Sequence, residues 1–370
     1  MFEALDIVSR EIVGAIPAST LDAKASGVSI GDKVKVPLVP EMETEDALPS
    51  ATKPSGNGQN FGSVEISITK SKRAKPILWT GDDENRAKEY IDPLKRNQFA
   101  QAFRAVINEM EQDVVNEAVK GAMASGNIIG TAGVNPFATD LKSLTLAYKM
   151  LEDKGAPLTD LQFVMNTTSG MNMRNLTQLQ KVSDAGDNAL LRRGVLGNLF
   201  NFNIRESAGF KQNAKGSVST DYLVNGGASK GDTVITIDTG VGTIKAGNLV
   251  TFGTDTVKYS VAEDVESGST KLVLDRPLEA DVADNAKVNV GDSYLSNVAF
   301  TSGSIILANR LPFVPEGGDD ALDRFIMTDP VSGIPFEIAL WGGAYQNSVT
   351  VTTCWGVKNI KGEHTIALIG

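Results

Sequence analysis

The chain has 370 residues, 41% of them hydrophobic and 22% charged, enough to bury a sizeable core in two or three globular units. Its net charge of −10 argues against a dedicated nucleic-acid-binding surface, which draws its affinity from clustered Lys and Arg. One cysteine, Cys354, excludes internal disulfides, and one histidine, His364, excludes every His-pair metal site, so no cofactor, metal or enzymatic activity is expected.

The first residues carry one amphipathic pattern (Phe2, Leu5, Ile7, Val8, Ile12, Val13, Ile16) with no leader or membrane span, followed by a polar tail. This reads as an arm over 1–26. From Gly31, "GDKVKVPLVP" alternates like a strand, and "GSVEISITKSKRAKPILW" alternates again. Between them lies "EMETEDALPSATKPSGNGQNF", far longer than a hairpin connection. Then "DPLKRNQFAQAFRAVINEMEQDVVNEAVKGAMASG" predicts a long helix, with Asp92 as N-cap, Pro93 in the first turn and Gly126 at its end. Phe99, Phe103, Val106, Ile107, Met110, Val114, Ala118 and Ala122 recur at three- and four-residue steps, one apolar stripe along its whole length. Such a helix would be on the order of 50 Å long.

Next, "LKSLTLAYKMLEDKG" predicts a helix closed by Gly155, "LQFVMN" a buried strand, and "SGMNMRNLTQLQKV" a second helix, an alternation of α/β or α+β type. "GVLGNLFNFNIRESAGF" predicts a Gly-punctuated strand. From 215 to 293 short β runs recur at roughly ten-residue steps, predicting a small barrel or sandwich with its own core from Ile235, Ile237, Leu249, Phe252, Val261, Leu272 and Leu274. Longer strands follow, among them "SVTVTTCWGVKNI", which marks Cys354 as a buried thiol. His364, between Glu363 and Thr365 near the end of the chain, is expected to be solvated or locally bonded.

The stretch "TGVGTIKAGNLVTF" resembles a phosphate loop only superficially. Lys245 stands where a dinucleotide fingerprint needs its third glycine, and Asn248-Leu249 stand where a P-loop needs Lys and Ser or Thr. Both motifs open a helix, whereas Leu249–Phe252 predicts a strand, so Gly240, Gly242 and Gly247 are read as turn residues.

In order and spacing, the chain resembles the major capsid proteins of tailed double-stranded DNA phages, and within them the P22-like coat proteins. The likeness is carried by "FRAVINEMEQDVVNEAVKGAMASGNIIGTAG", "GVLGNLFNFNIRES" and "TCWGVKNIKGEHTIALIG". It implies an α+β fold of HK97 type: an arm (1–26), an extended loop (27–81), a peripheral domain with a spine helix (82–137 and 345–370), an axial domain (138–214 and 294–344) and an inserted all-β domain (215–293). It further implies self-association into hexamers and pentamers of an icosahedral shell around double-stranded DNA held without sequence-specific binding. Scaffolding and portal proteins would be partners, with assembly in the host cytoplasm and residence in the virion capsid. If the loop crosses a neighbour, its acids Glu41, Glu43, Glu45 and Asp46 are candidate inter-subunit contacts for the basic run Lys70, Lys72, Arg73 and Lys75; plain solvation of both runs is the alternative. Other readings are an encapsulin-like nanocompartment shell, a non-catalytic tail or decoration protein, and a carboxylate-dependent polysaccharide hydrolase.

Overall fold

A computed structural model describes residues 14–38, 62–87, 90–180, 197–329 and 332–370. The long helix runs from Ile91 to Ala124 and buries every residue of the expected stripe. Its start differs in detail: Tyr90 occupies the N-cap without a side-chain bond, and Asp92 lies inside the first turn, where a carboxylate still favours the positive end of the helix dipole. Its end follows the glycine rule. Gly126 takes φ +71°, and the Gly126 and Asn127 amides donate to the Met123 and Ala122 carbonyls, the paired bonds of a Schellman close.

The helix packs on a seven-stranded sheet. Along one path the order is Thr20–Val28, Ile305–Pro312, Gln346–Asn359, Pro335–Gly343 and Ala321–Thr328, while Lys70–Arg73 and Ile77–Thr80 also pair with Gln346–Asn359. That fourteen-residue strand is the hub, bonded to four others. Phe103 meets Phe336 edge to face, with ring centroids 5.2 Å apart, within a core that also holds Val106, Met110, Val114 and Trp355.

A second sheet of six strands has the order Ile128–Gly130, Thr365–Ile369, Ser296–Thr301, Leu161–Met165, Phe202–Glu206 and Asn198–Leu199. Its three central strands are buried at every residue, which is why "LQFVM" shows no alternation. The Lys142–Asp153 helix adds Leu144, Ala147 and Leu151 to the same core as Leu161, Phe163 and Phe202. The single second helix expected from "SGMNMRNLTQLQKV" is two, Thr167–Arg174 and Thr177–Gln180; Asn166 caps the first through the Ser169 amide.

Sheet membership departs from the sequence grouping at two places. Strands Ile305–Pro312, Ala321–Thr328 and Pro335–Gly343, expected with the axial part, hydrogen-bond into the hub sheet, and Thr365–Ile369, expected with the peripheral part, joins the six-stranded sheet. Ladder partners are chosen by register in space, so contiguity in sequence is a poor guide to them.

Between 218 and 290 lie two three-stranded sheets and one two-stranded pair. Tyr222, Ile235, Ile237, Phe252, Tyr259, Val261, Leu272 and Leu274 form one cluster drawn only from this segment. Leu249 is the exception. It packs with Ala122 and Met123 of the long helix and with Tyr294, so it ties this β unit to the rest of the chain.

Candidate functional site

The basic run is divided by the strand that carries it. Lys70 reaches Asp113 at 2.8 Å and Glu109 at 3.2 Å on the long helix, and Lys72 reaches Glu109 at 3.1 Å. Trp355 donates its indole N–H to the other oxygen of Asp113 at 2.8 Å. Burial opposes ionisation of Glu109, yet hydrogen bonds from Lys72 and Lys70 outweigh it and hold the carboxyl below its usual range. For Lys70, burial likewise acts against the charge, and its bonds to Asp113 and Glu109 override it and raise the ammonium. Arg73 and Lys75 are exposed. Glu41, Glu43, Glu45 and Asp46 lie outside the described residues.

The ribbon leading into this run pairs Lys33–Leu38 with Gly62–Ser67. Of its two strands only Ile66 is buried; Val34 and Val36 are partly covered by a cluster of Ile66, Ile68, Ile306, Ala308 and Cys354. Lys33 and Glu65 pair across its surface at 2.6 Å.

A junction that no sequence signal marked centres on Glu111. Its carboxylate accepts the Ile16 amide at 2.8 Å, the Ser207 hydroxyl at 2.7 Å and the Ala15 amide. A β-carbon on Gly14 would lie 1.8 Å from Glu111 Oε1, so a side chain there would displace the carboxylate from its bonds. One carboxylate thereby joins the N-terminal segment, the long helix and the end of a strand of the second sheet.

Of the three glycines Gly247 turns a corner, at φ +83°, whereas Gly242, at φ +120°, lies in the short strand Val241–Gly242 paired with Val218; both φ values are in the region side chains resist, and a β-carbon on Gly240 would fall 2.0 Å from the Tyr222 ring. Leu249–Phe252 is a strand. The polar groups at this corner are engaged: the Asn248 side chain accepts the Lys245 and Gly216 amides at 3.1 and 3.0 Å, and Lys245 pairs with Asp264 at 2.9 Å.

Cys354 is buried in the hub strand, and burial pushes its thiol up. Of the two alternatives for His364, solvation does not hold: it is 6% exposed, on the 3-10 turn that feeds the last strand, because that turn packs against the long helix. Two acids converge on Arg324: Glu337 at 2.9 Å, and Asp319. Burial raises the Glu337 carboxyl against the pull of Arg324. A guanidinium bridging two carboxylates offsets one of their two charges and engages both, which is an ion triad and not the acid pair of a glycosidase. No group of three or more His, Cys, Asp or Glu among the described residues could hold a metal, and none of the described helices is long and apolar enough to cross a membrane.

No family model matches the chain, and no curated protein matches it. Solved structures do. The capsid of the cyanophage P-SCSP1u is 14% identical over 95% of this chain and 86% of its own, with a TM-score of 0.48. The capsid of Ralstonia phage GP4 is 10% identical over 95% and 86%, with a TM-score of 0.47. The virus-like particle from Pyrococcus furiosus is 7% identical over 99% and 96%, with a TM-score of 0.44. Two of these three are phage capsids and the third is a virus-like particle.

Proposed function

We propose that the chain is a major capsid protein, a coat subunit that self-assembles into the icosahedral head shell of a tailed double-stranded DNA phage. On this reading the fold is of HK97 type. The long helix and hub sheet form the peripheral part, the six-stranded sheet forms the axial part, 1–26 is the arm and 27–81 the extended loop, each giving strands to the hub sheet, and 215–293 is an inserted β domain as in the P22-like coats. The subunit acts by geometry and carries out no reaction. Copies associate into hexamers and pentamers with scaffolding and portal proteins as partners, and DNA is packaged against an acidic protein without sequence-specific binding.

One observation carries the reading: a two-stranded ribbon in which Ile66 is the only buried residue. The hub sheet covers one face of it only in part, and a neighbouring copy lying along it would supply the rest of the cover. The outer strand Ala321–Thr328 points the same way. It closes one edge of the hub sheet and exposes Leu322 and Ile326 at 66% and 53%, an arrangement that soluble monomers avoid. Negative-stain microscopy of the purified protein tests the proposal. Closed shells or capsomer rings are expected, and a uniform monomer at high concentration would overturn it.

A further inference from the structure

The β unit repeats itself. Tyr222, Val224, Gly231, Thr233 and Asp238 recur as Tyr259, Val261, Gly268, Thr270 and Asp275, each 37 residues on. The apolar positions between them match as well, Ile235 with Leu272 and Ile237 with Leu274, all in one core. Both glycines have positive φ, +99° at Gly231 and +80° at Gly268. Recurrence at a fixed spacing of this order is the mark of a repeated structural element, and the hydrogen bonds carry the same repeat.

Those bonds come in matched pairs. Ile237 donates to Thr270 at 3.0 Å and its counterpart Leu274 donates to Thr233 at 2.8 Å; Asn225 donates to Thr236 at 2.9 Å and Ala262 to Val273 at 2.8 Å. Farther along, where the second copy is one residue longer, Gly253 donates to the Lys287 carbonyl and Gly291 to the Leu249 carbonyl, both at 2.8 Å. Two ladders set a residue opposite its own counterpart. Ile235 faces Leu272 between Val234–Asp238 and Lys271–Val273, and Thr251 faces Asn289 between Leu249–Phe252 and Val288–Val290. Even the tyrosines correspond: the Tyr222 hydroxyl donates to the Gly242 carbonyl at 2.8 Å, and the Tyr259 hydroxyl accepts the Glu279 amide at 3.0 Å. A single two-fold axis relates all of these contacts, because each pairs residue i with j and the equivalent of j with the equivalent of i.

The copies differ where the unit meets the rest of the chain. Leu249, 5% exposed, packs with Ala122 and Met123 of the long helix; its counterpart is Lys287. Lys258 donates to the Gly130 carbonyl, and Arg276 lies so close to the helix end that a β-carbon on Gly126 would come within 2.8 Å of its Nη1; their counterparts are Asp221 and Thr239. On that other face Lys287 pairs with Asp221 at 2.8 Å, with side chains 50% and 56% exposed. A two-fold unit has two like faces, and one helix end can receive only one of them.

We infer that the β unit is an internal duplication, two copies of one motif joined about a two-fold axis, and that leucine at 249, where the other copy has Lys287, commits one of two equivalent faces to docking on the end of the long helix. The copies share one core, and the docking face is separable from it.

Leu249→Lys in the full-length protein tests both parts, read by hydrogen exchange. Lysine already stands at the equivalent place on the second copy, so the unit itself should tolerate it, and exchange at Ile237 and Leu274 should stay within a factor of about two of wild type. The junction should open, with exchange at Gly126, Asn127, Asn213 and Tyr294 faster by about tenfold or more. Leu249→Ala should open the same junction without introducing a charge, and Lys287→Leu should leave it unchanged. Faster exchange at Ile237 and Leu274 in Leu249→Lys, or a chain that does not fold, would place Leu249 in the unit's own core and overturn the equivalence with Lys287. An unchanged junction in Leu249→Ala would overturn the docking surface, as would a junction that opens equally in Lys287→Leu.

Discussion

Truncating Phe103 to alanine should unfold the subunit's main core more than any other single change in the long helix. The ring is fully buried, sits edge to face with Phe336, and lies among Val106, Met110 and Trp355. Removing such a ring loses its transfer free energy and leaves a cavity that a helix and a sheet clamped by a continuous ladder cannot close. The cost is about 3–5 kcal/mol. At about 2 °C per kcal/mol for a chain of this size, the midpoint of thermal unfolding should fall by about 6–10 °C. Differential scanning calorimetry on unassembled subunit, with Ile107→Val as the graded control at about 0.5–1.5 kcal/mol, checks the magnitude. Equal melts for wild type and Phe103→Ala would refute the reasoning, because the stripe would then not be packed against the sheet.

Glu109→Gln should cost stability at neutral pH and progressively less in acid. A carboxyl held below its usual range stabilises the fold fully above the unfolded value, and that contribution is lost as the pH falls through the folded one. Melts of the two proteins should therefore converge below about pH 4, and a constant gap would contradict the pairing with Lys70 and Lys72. Gly242→Ala places a β-carbon 1.7 Å from the Ser217 carbonyl oxygen at φ +120°, so it should destabilise the chain more than Gly268→Ala, where the added carbon meets nothing within 4 Å; calorimetry of the two full-length variants decides. Glu111→Ala leaves two amides and a hydroxyl without their acceptor, and hydrogen exchange at Ala15 and Ile16 should accelerate well before the core opens. Unchanged exchange there would mean that the carboxylate does not hold the segment.

What could be read in advance follows the range of the forces involved. The long helix was legible because its eight stripe residues and Gly126 act within one helical repeat. The strands of the β unit and the turn at Gly247 were legible for the same reason. Strand partnership was not, since the ladder joining residues 70–80 to 346–359 is set by shape and register across the whole chain. Glu111 was one acid among many until the fold brought Ala15 and Ser207 to it. Leu249 was assigned to the core of its own segment and serves the junction instead, a difference of side-chain direction that alternation alone does not resolve. The basic run was visible as charge, but not that Lys70 and Lys72 would be taken up by Glu109 and Asp113.

The hub strand Gln346–Asn359 bears on how the chain reaches this fold. Its partners include Lys70–Arg73, Ile77–Thr80 and Ile305–Pro312, and the last of these pairs in turn with Thr20–Val28. Loops of more than 250 residues must close before those early strands gain a ladder, and topologies dominated by such distant pairings fold slowly. Until the hub arrives, Lys70–Arg73 and Ile77–Thr80 carry unpaired backbone edges while apolar residues such as Ile77 await their core. Kinetic partitioning between closure and aggregation is set at that step. A mutation that loosens the hub would reduce the yield of folded subunit at high temperature even where the folded subunit, once formed, is scarcely weakened.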